Sequence, residues 1–213
     1  MKKTEQKILK QVYIDTETTG INPKDNGLIQ ISGMIEIDSQ MVKEFDFRVK
    51  PFLGDKIEDE ALKVNGITRE DLEKFESPDL VFEKLIALFN QYVNPYDKSD
   101  KFFFIAYNAR FDWDFLSNFF LKNNHKYFSS YFFFPQIDVM YLAAEKLKSV
   151  RASMQNFKLQ SVAEALGIQI NKDLLHDAKY DIELTRLVYQ KVTEIKTPVI
   201  EKKVEKDYTE SLF

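Results

Sequence analysis

Five side chains in three separated segments hold this chain's clearest capacity for chemistry: Asp15 with Glu17, then Asp112, then His176 with Asp181. Asp15-Thr16-Glu17 closes the first apolar run, which reads as a strand over Gln11–Asp15. Side chains at i and i+2 of a strand leave the same face, so the two carboxylates can be aimed at one site. Asp112, in Asn108-Ala109-Arg110-Phe111-Asp112, stands at the opening of a helix just after a buried strand, and so can face the same sheet edge. His176-Asp177-Ala178-Lys179-Tyr180-Asp181 puts a histidine at a helix entrance and a carboxylate about a turn and a half inside. Four carboxylates gathered without a basic partner repel one another, and the arrangement makes sense with hard divalent cations between them. Two such ions roughly 3.5–4 Å apart activate a water and stabilise both the attacking and the leaving oxygen of a phosphodiester. A histidine titrating near neutral pH takes the proton from that water.

Each feature alone is weak, because a lone Asp-x-Glu is usually a turn or a solvated strand end. Their order and their placement around strands and helices carry the reading. The elements that must position them follow from patterning. Leu28–Ile37 is rich in β-branched residues and Met41–Val49 alternates, so two further strands are expected, joined by a hairpin at Ile37-Asp38-Ser39-Gln40. A short helix lies within Ile57–Val64, broken at Asn65-Gly66, and Thr68 caps another helical turn. Ser77-Pro78 starts a helix that places Leu80, Leu85, Leu88, Phe89 and Tyr92 broadly along one face. Phe102–Tyr107 reads as a buried strand, and helices follow over Asp112–Asn123, Ile137–Lys148, Lys158–Leu166 and Asp177–Ile195. Gly167 ends the third of these. Strands first, then strands alternating with helices, predict an α/β fold with a mixed sheet flanked by helices.

Composition narrows the rest. The chain has 213 residues, 44% hydrophobic and 30% charged, enough for one α/β domain with a real core. Cysteine is absent, which excludes disulfides, thiolate metal sites and cysteine nucleophiles, and with only His125 and His176 as nitrogen ligands zinc is disfavoured. The charged start, Met1 to Lys10, has no signal-peptide core, and no stretch approaches the roughly 18 apolar residues of a membrane helix, so a cytoplasmic protein without membrane contact is expected. A net charge of −4 sits badly with phosphate binding unless divalent cations bridge the carboxylates to the phosphate.

The segments DTETTG, NARFD and HDAKYD resemble the three exonuclease motifs of the DEDDh, or DnaQ-like, family, which includes polymerase proofreading subunits, oligoribonuclease and RNase T. The resemblance runs from Val12 to about Val192. It implies an RNase H-like fold, two magnesium or manganese ions, and release of nucleoside 5′-monophosphates from 3′ ends. Asp15, Glu17 and Asp181 would then hold one ion, Asp15 would bridge to the second, Asp112 would support that second ion through water, and His176 would be the general base. A sister subclass carries tyrosine four positions before the last aspartate; Asp177 stands there, so the histidine subclass is indicated. Asn65-Gly66-Ile67-Thr68 resembles the family segment near the terminal base, and Thr18, Asn65, Ile67, Asn108 and Phe111 are the substrate-binding residues it implies. The family often has histidine where this chain has Tyr107, a position that touches no metal ligand.

Other residues receive plainer expectations. Asp114 reads as a solvated helix residue, Asp177 as a helix cap, His125 as a loop surface residue, and the runs Phe102–Phe104 and Phe132–Phe134 as core. Lys146, Lys148, Arg151 and Lys158 read as a solvated basic loop, with a hold on the phosphate backbone as the functional alternative. A domain over residues 1–196 is followed by a charged tail over 197–213, whose Leu212-Phe213 end faintly resembles peptides that dock polymerase sliding clamps. The leading function is a DNA-directed exonuclease of proofreading or repair. The alternatives are the same chemistry on RNA, and a non-catalytic nucleic-acid-binding replication subunit.

Overall fold

Alternation along the first strand sets the layout. In β1 (Lys10–Thr18), Val12 and Ile14 enter one apolar cluster while Tyr13 enters another. Asp15 and Glu17, in step with Tyr13, share its face. A helical layer therefore lies on each side of the sheet. The computed structural model describes residues 8–171, 174 and 178–193.

β2 (Leu28–Ile37) and β3 (Gln40–Arg48) extend β1 as an antiparallel meander, turning at Asp38 and Ser39, both with positive φ. β4 (Phe102–Ala106) runs parallel to β1, and β5 (Phe132–Asp138) parallel to β4, giving the order β3-β2-β1-β4-β5. β2 is buried along nearly its whole length because both faces are covered. Gly33, within it, lies under Phe45: a methyl group there would stand 2.2 Å from the ring and 2.8 Å from the Tyr13 carbonyl oxygen.

Two short helices, α1 (Asp59–Val64) and α2 (Arg69–Leu72), follow the meander; Thr68 and Asp71 form a capping box at α2. α3 (Pro78–Phe89) and α4 (Ala109–Lys122) cover one face of the sheet through Leu85, Phe89, Phe115 and Phe120. The phenylalanine-rich composition is spent here. Phe89 meets both Phe102 and Phe132 edge to face at 5.6 Å, an arrangement that matches ring quadrupoles. On the other face α5 (Val139–Lys146), α6 (Leu159–Ala165) and α7 (Ala178–Thr193) pack Val139, Val162, Ile182 and Val188 against Tyr13, Met34 and Ile105.

Three expectations need correcting. Phe132–Asp138 is a strand, and the helix read from Ile137 starts at Val139, where the Asp138 carboxylate accepts the Met140 N–H at 2.9 Å. Pro135 masks the strand in the sequence, yet it is tolerated because β5 is an edge. Along α3 the buried face uses Val81, while Leu80 is 43% exposed. His125 is not a plain surface residue: it sits among the rings of Phe82, Phe120, Tyr127 and Tyr131. Among the described residues, no helix is long and apolar enough to cross a membrane.

Candidate active site

The site forms where β1 and β4 end together. β4 stops at Ala106, and Asn108 takes a left-handed conformation (φ 64°, ψ 48°) that turns the chain straight into α4. Asparagine tolerates that region better than most residues. Asp112 then falls in the first turn of α4, 4% exposed, beside the end of β1. Its Oδ1 accepts the Thr16 N–H at 2.9 Å and the Thr16 hydroxyl at 2.8 Å. Thr16 points to the α4 side of the sheet and its two neighbours, Asp15 and Glu17, to the α7 side, so this pair of bonds clamps Asp112 between them.

Asp181 arrives from the first turn of α7. A buried polar cluster pins that helix: the Arg186 Nε–H donates to Oε1 of Glu36, whose Oε2 accepts the Tyr13 hydroxyl at 3.3 Å. Glu36 is 2% exposed, and Tyr13 meets the Tyr189 ring edge-on at 6.1 Å. Sequence reading missed this cluster and the Thr16 clamp. Its signals were a carboxylate inside the apolar β2 and an arginine on a helix otherwise apolar on that side.

The electrostatics report the convergence. Burial, then Asp112, Glu17 and Asp181 in turn, hold Asp15 well above the usual carboxylate range. Burial and Asp181 push Glu17 up to about 7. Asp112 is pushed up to about 7, by burial first and Glu17 last, against the downward pull of its bonds to Thr16. Each charge is therefore felt by the others. Among the described residues no three acidic or imidazole groups already form a closed ligand set. The donor chemistry is nevertheless all hard oxygen and net negative, which suits magnesium or manganese better than a soft metal.

A stability prediction follows from these shifts. A carboxylate raised on folding stabilises the fold below its unfolded value, near pH 4, and loses that contribution as pH rises through its folded value. Glu17, raised to about 7, thus weakens the metal-free fold at neutral pH. Glu17→Gln, melted in chelator at pH 8, is expected to gain ~2 kcal/mol, or a few degrees, after discounting for partial exposure. The gain should shrink steadily toward pH 5. Identical melting of variant and wild type across that range would refute the assignment.

The remaining residues singled out by sequence are placed unevenly. Asn65 donates from Nδ2 to the Thr18 carbonyl at 3.0 Å, tying the α1 exit to the end of β1. The Thr18 hydroxyl is buried and donates to the Gly20 carbonyl at 2.6 Å. Ile67 is 8% exposed and packs with Ile29, Leu62 and Leu72, so its side chain serves a small core. Phe111 packs 4.8 Å from the Phe115 ring, and Asn108 is exposed. In the basic loop, Lys148 pairs with Glu145 and the Arg151 guanidinium lies 4.9 Å from the Phe157 ring centre. His176 lies outside the described residues, as do Asp177 and the tail from 194 onward.

The profile of the RNase T exonuclease family matches residues 12–189, a span holding every element from β1 to most of α7. The chain belongs to the DnaQ-like exonucleases. This exonuclease domain is 30% identical over 177 residues to the PolC-type DNA polymerase III of Mycoplasmopsis pulmonis, matching 82% of this chain but 11% of that polymerase. It is 28% identical to the 3′-5′ DNA exonuclease Cap18 of Escherichia coli, over 83% of this chain and 90% of that protein. Ribonuclease T of Buchnera aphidicola is 26% identical over 85% of this chain and 82% of its own length. The fold matches E. coli exonuclease I in complex with a dT13 oligonucleotide, with a TM-score of 0.67 at 20% identity over 86% of this chain and 41% of that one. The five-stranded mixed sheet flanked by helices is the RNase H-like fold.

Proposed function

We propose that this exonuclease-family domain is a metal-dependent 3′→5′ exonuclease that shortens DNA strands and releases nucleoside 5′-monophosphates. One observation carries the reading: Asp15, Glu17, Asp112 and Asp181 come from β1, α4 and α7 into one mutually repelling group. A fold tolerates such a group where a ligand of opposite charge discharges it. Asp15, Glu17 and Asp181 would hold one divalent ion, with Asp15 shared toward a second that Asp112 supports. When bound, the ions polarise the scissile phosphate and lower the pKa of a water. The chain's own work is to hold Asp112 rigid through Thr16, to bring Asp181 in on a pinned α7, and to supply His176, just before α7, as the proton acceptor. Residues 1–196 form the catalytic unit in this reading. The tail from 197 would serve to meet a polymerase or clamp.

DNA is favoured because Cap18 and the PolC-type polymerases are named for DNA, and exonuclease I was solved with a thymidine oligonucleotide. The ribonuclease T relatives support a second reading, the same reaction on RNA. Digesting matched single-stranded DNA, duplex DNA and RNA with magnesium, manganese or chelator separates them. Faster loss of DNA, dependent on metal, supports the first reading. A preference of RNA over DNA in catalytic efficiency would replace it with the second.

A further inference from the structure

A second polar cavity opens beside Glu17, on the α7 side of the sheet. It measures about 430 Å³, the size of a site for one small ligand. Its floor is Gln30, Asp46 and Arg48 from β2 and β3; Asn65 and Gly66 wall one side, and Lys179 of α7 the other. The strand pairing makes this a continuation of the active site, since Glu17 lies opposite Gln30, and Gln30 opposite Arg48. The cavity is shut below by the sheet, where Gln30 is 7% exposed. A polymer cannot thread through it. It can only receive what lies beyond the last nucleotide or part of that nucleotide itself.

Charge inside the cavity is not balanced in the ordinary way. Asp46 is the carboxylate nearest to hand for a cation, but its Oδ1 already accepts Gln30 Nε2–H at 2.7 Å and the Ser32 hydroxyl at 2.9 Å. Among the described residues neither Arg48 nor Lys179 enters an ion pair. The Arg48 guanidinium instead lies 5.5 Å from the Phe75 ring centre, which fixes its plane without neutralising it. Most other cations around the site have partners, as with Lys50, Lys56 and Arg69. Two unpaired cations in a closed pocket next to the reacting centre are a receptor for a dianion.

Resting on the proposed 3′→5′ activity, we propose that Arg48 and Lys179 form a subsite for a phosphate on the 3′ end, so that the enzyme trims strands that end in a 3′-phosphate as well as in a 3′-hydroxyl. The reaction is the same hydrolysis one bond inward. Water adds to the phosphorus of the last internucleotide link, the bond from that phosphorus to the 3′ oxygen of the preceding nucleotide breaks, and that oxygen takes a proton. The products are a shortened strand with a 3′-hydroxyl and a nucleoside 3′,5′-bisphosphate. No phosphate is released as such.

The test uses the full chain and two 5′-labelled oligonucleotides identical except for the 3′ terminus, with products resolved by mass. Wild type should degrade both and yield nucleoside 3′,5′-bisphosphate from the phosphorylated one. In Arg48→Gln/Lys179→Gln, kcat/KM on the 3′-phosphate strand should fall 10-fold or more, with less than a 3-fold change on the 3′-hydroxyl strand. Refusal of the phosphorylated strand by an enzyme that digests the hydroxyl strand overturns the subsite and leaves the exonuclease reading intact. Release of inorganic phosphate before shortening, or equal losses on both strands in the variant, also overturns it. Failure to digest either strand would count against the exonuclease reading on which it rests.

Discussion

Asp15→Asn is expected to lower turnover on a 3′-hydroxyl strand by about 10³-fold or more, the scale on which a group acting as part of a catalytic unit is missed. The substitution keeps size and shape but removes the charge that three other carboxylates oppose. The same change should therefore raise the melting temperature in chelator at neutral pH, since it relieves burial of a charge among like charges. Function and stability would move in opposite directions, which separates a broken site from a broken fold. Adding magnesium should then lift wild-type melting and leave the variant nearly unmoved, because binding to the native state alone stabilises it by mass action. Steady-state rates and thermal melts on one preparation check all three. Near-normal turnover in the Asp15→Asn variant would remove Asp15 from the centre of the account.

The second large effect lies away from the chemistry. Arg186→Met should destabilise the fold by about 3–5 kcal/mol, since it leaves the 2% exposed Glu36 as an unpaired buried charge. Chemical denaturation measures that directly. The double variant Arg186→Met/Glu36→Gln should recover much of the loss, because an amide can be buried at lower cost. Activity should follow stability here, as Arg186 holds the helix that delivers Asp181. A loss under about 1 kcal/mol in the single variant would show that the pair does not pin α7.

The metal-side chemistry was readable from spacing because strands and helices impose fixed periods. Asp15 and Glu17 share a face by the period of two, and Asp181 falls in the first turn of α7, as its distance from the helix start required. The sheet's first three strands were equally plain, since β-branched residues and a short turn between alternating runs leave few other solutions. What stayed hidden depends on contacts between distant segments. No local pattern shows that Thr16 would clamp Asp112, 96 positions away, or that Glu36 would meet Arg186. β5 was missed because Pro135 reads as a strand breaker, a rule that lapses at a sheet edge. The exposed Arg48 looked like one more charge on an alternating strand; only the register that sets it beside Gln30 and Glu17 gives it meaning.

The central claim is that four converging carboxylates make this domain an end-directed nuclease. Its most direct test is a 5′-labelled single strand incubated with wild-type protein and magnesium or manganese, sampled over time. A ladder that shortens one nucleotide at a time from the 3′ end, with nucleoside 5′-monophosphates released and no shortening in chelator, is the result expected. Internal cuts, shortening from the 5′ end, or undiminished digestion in chelator would contradict it.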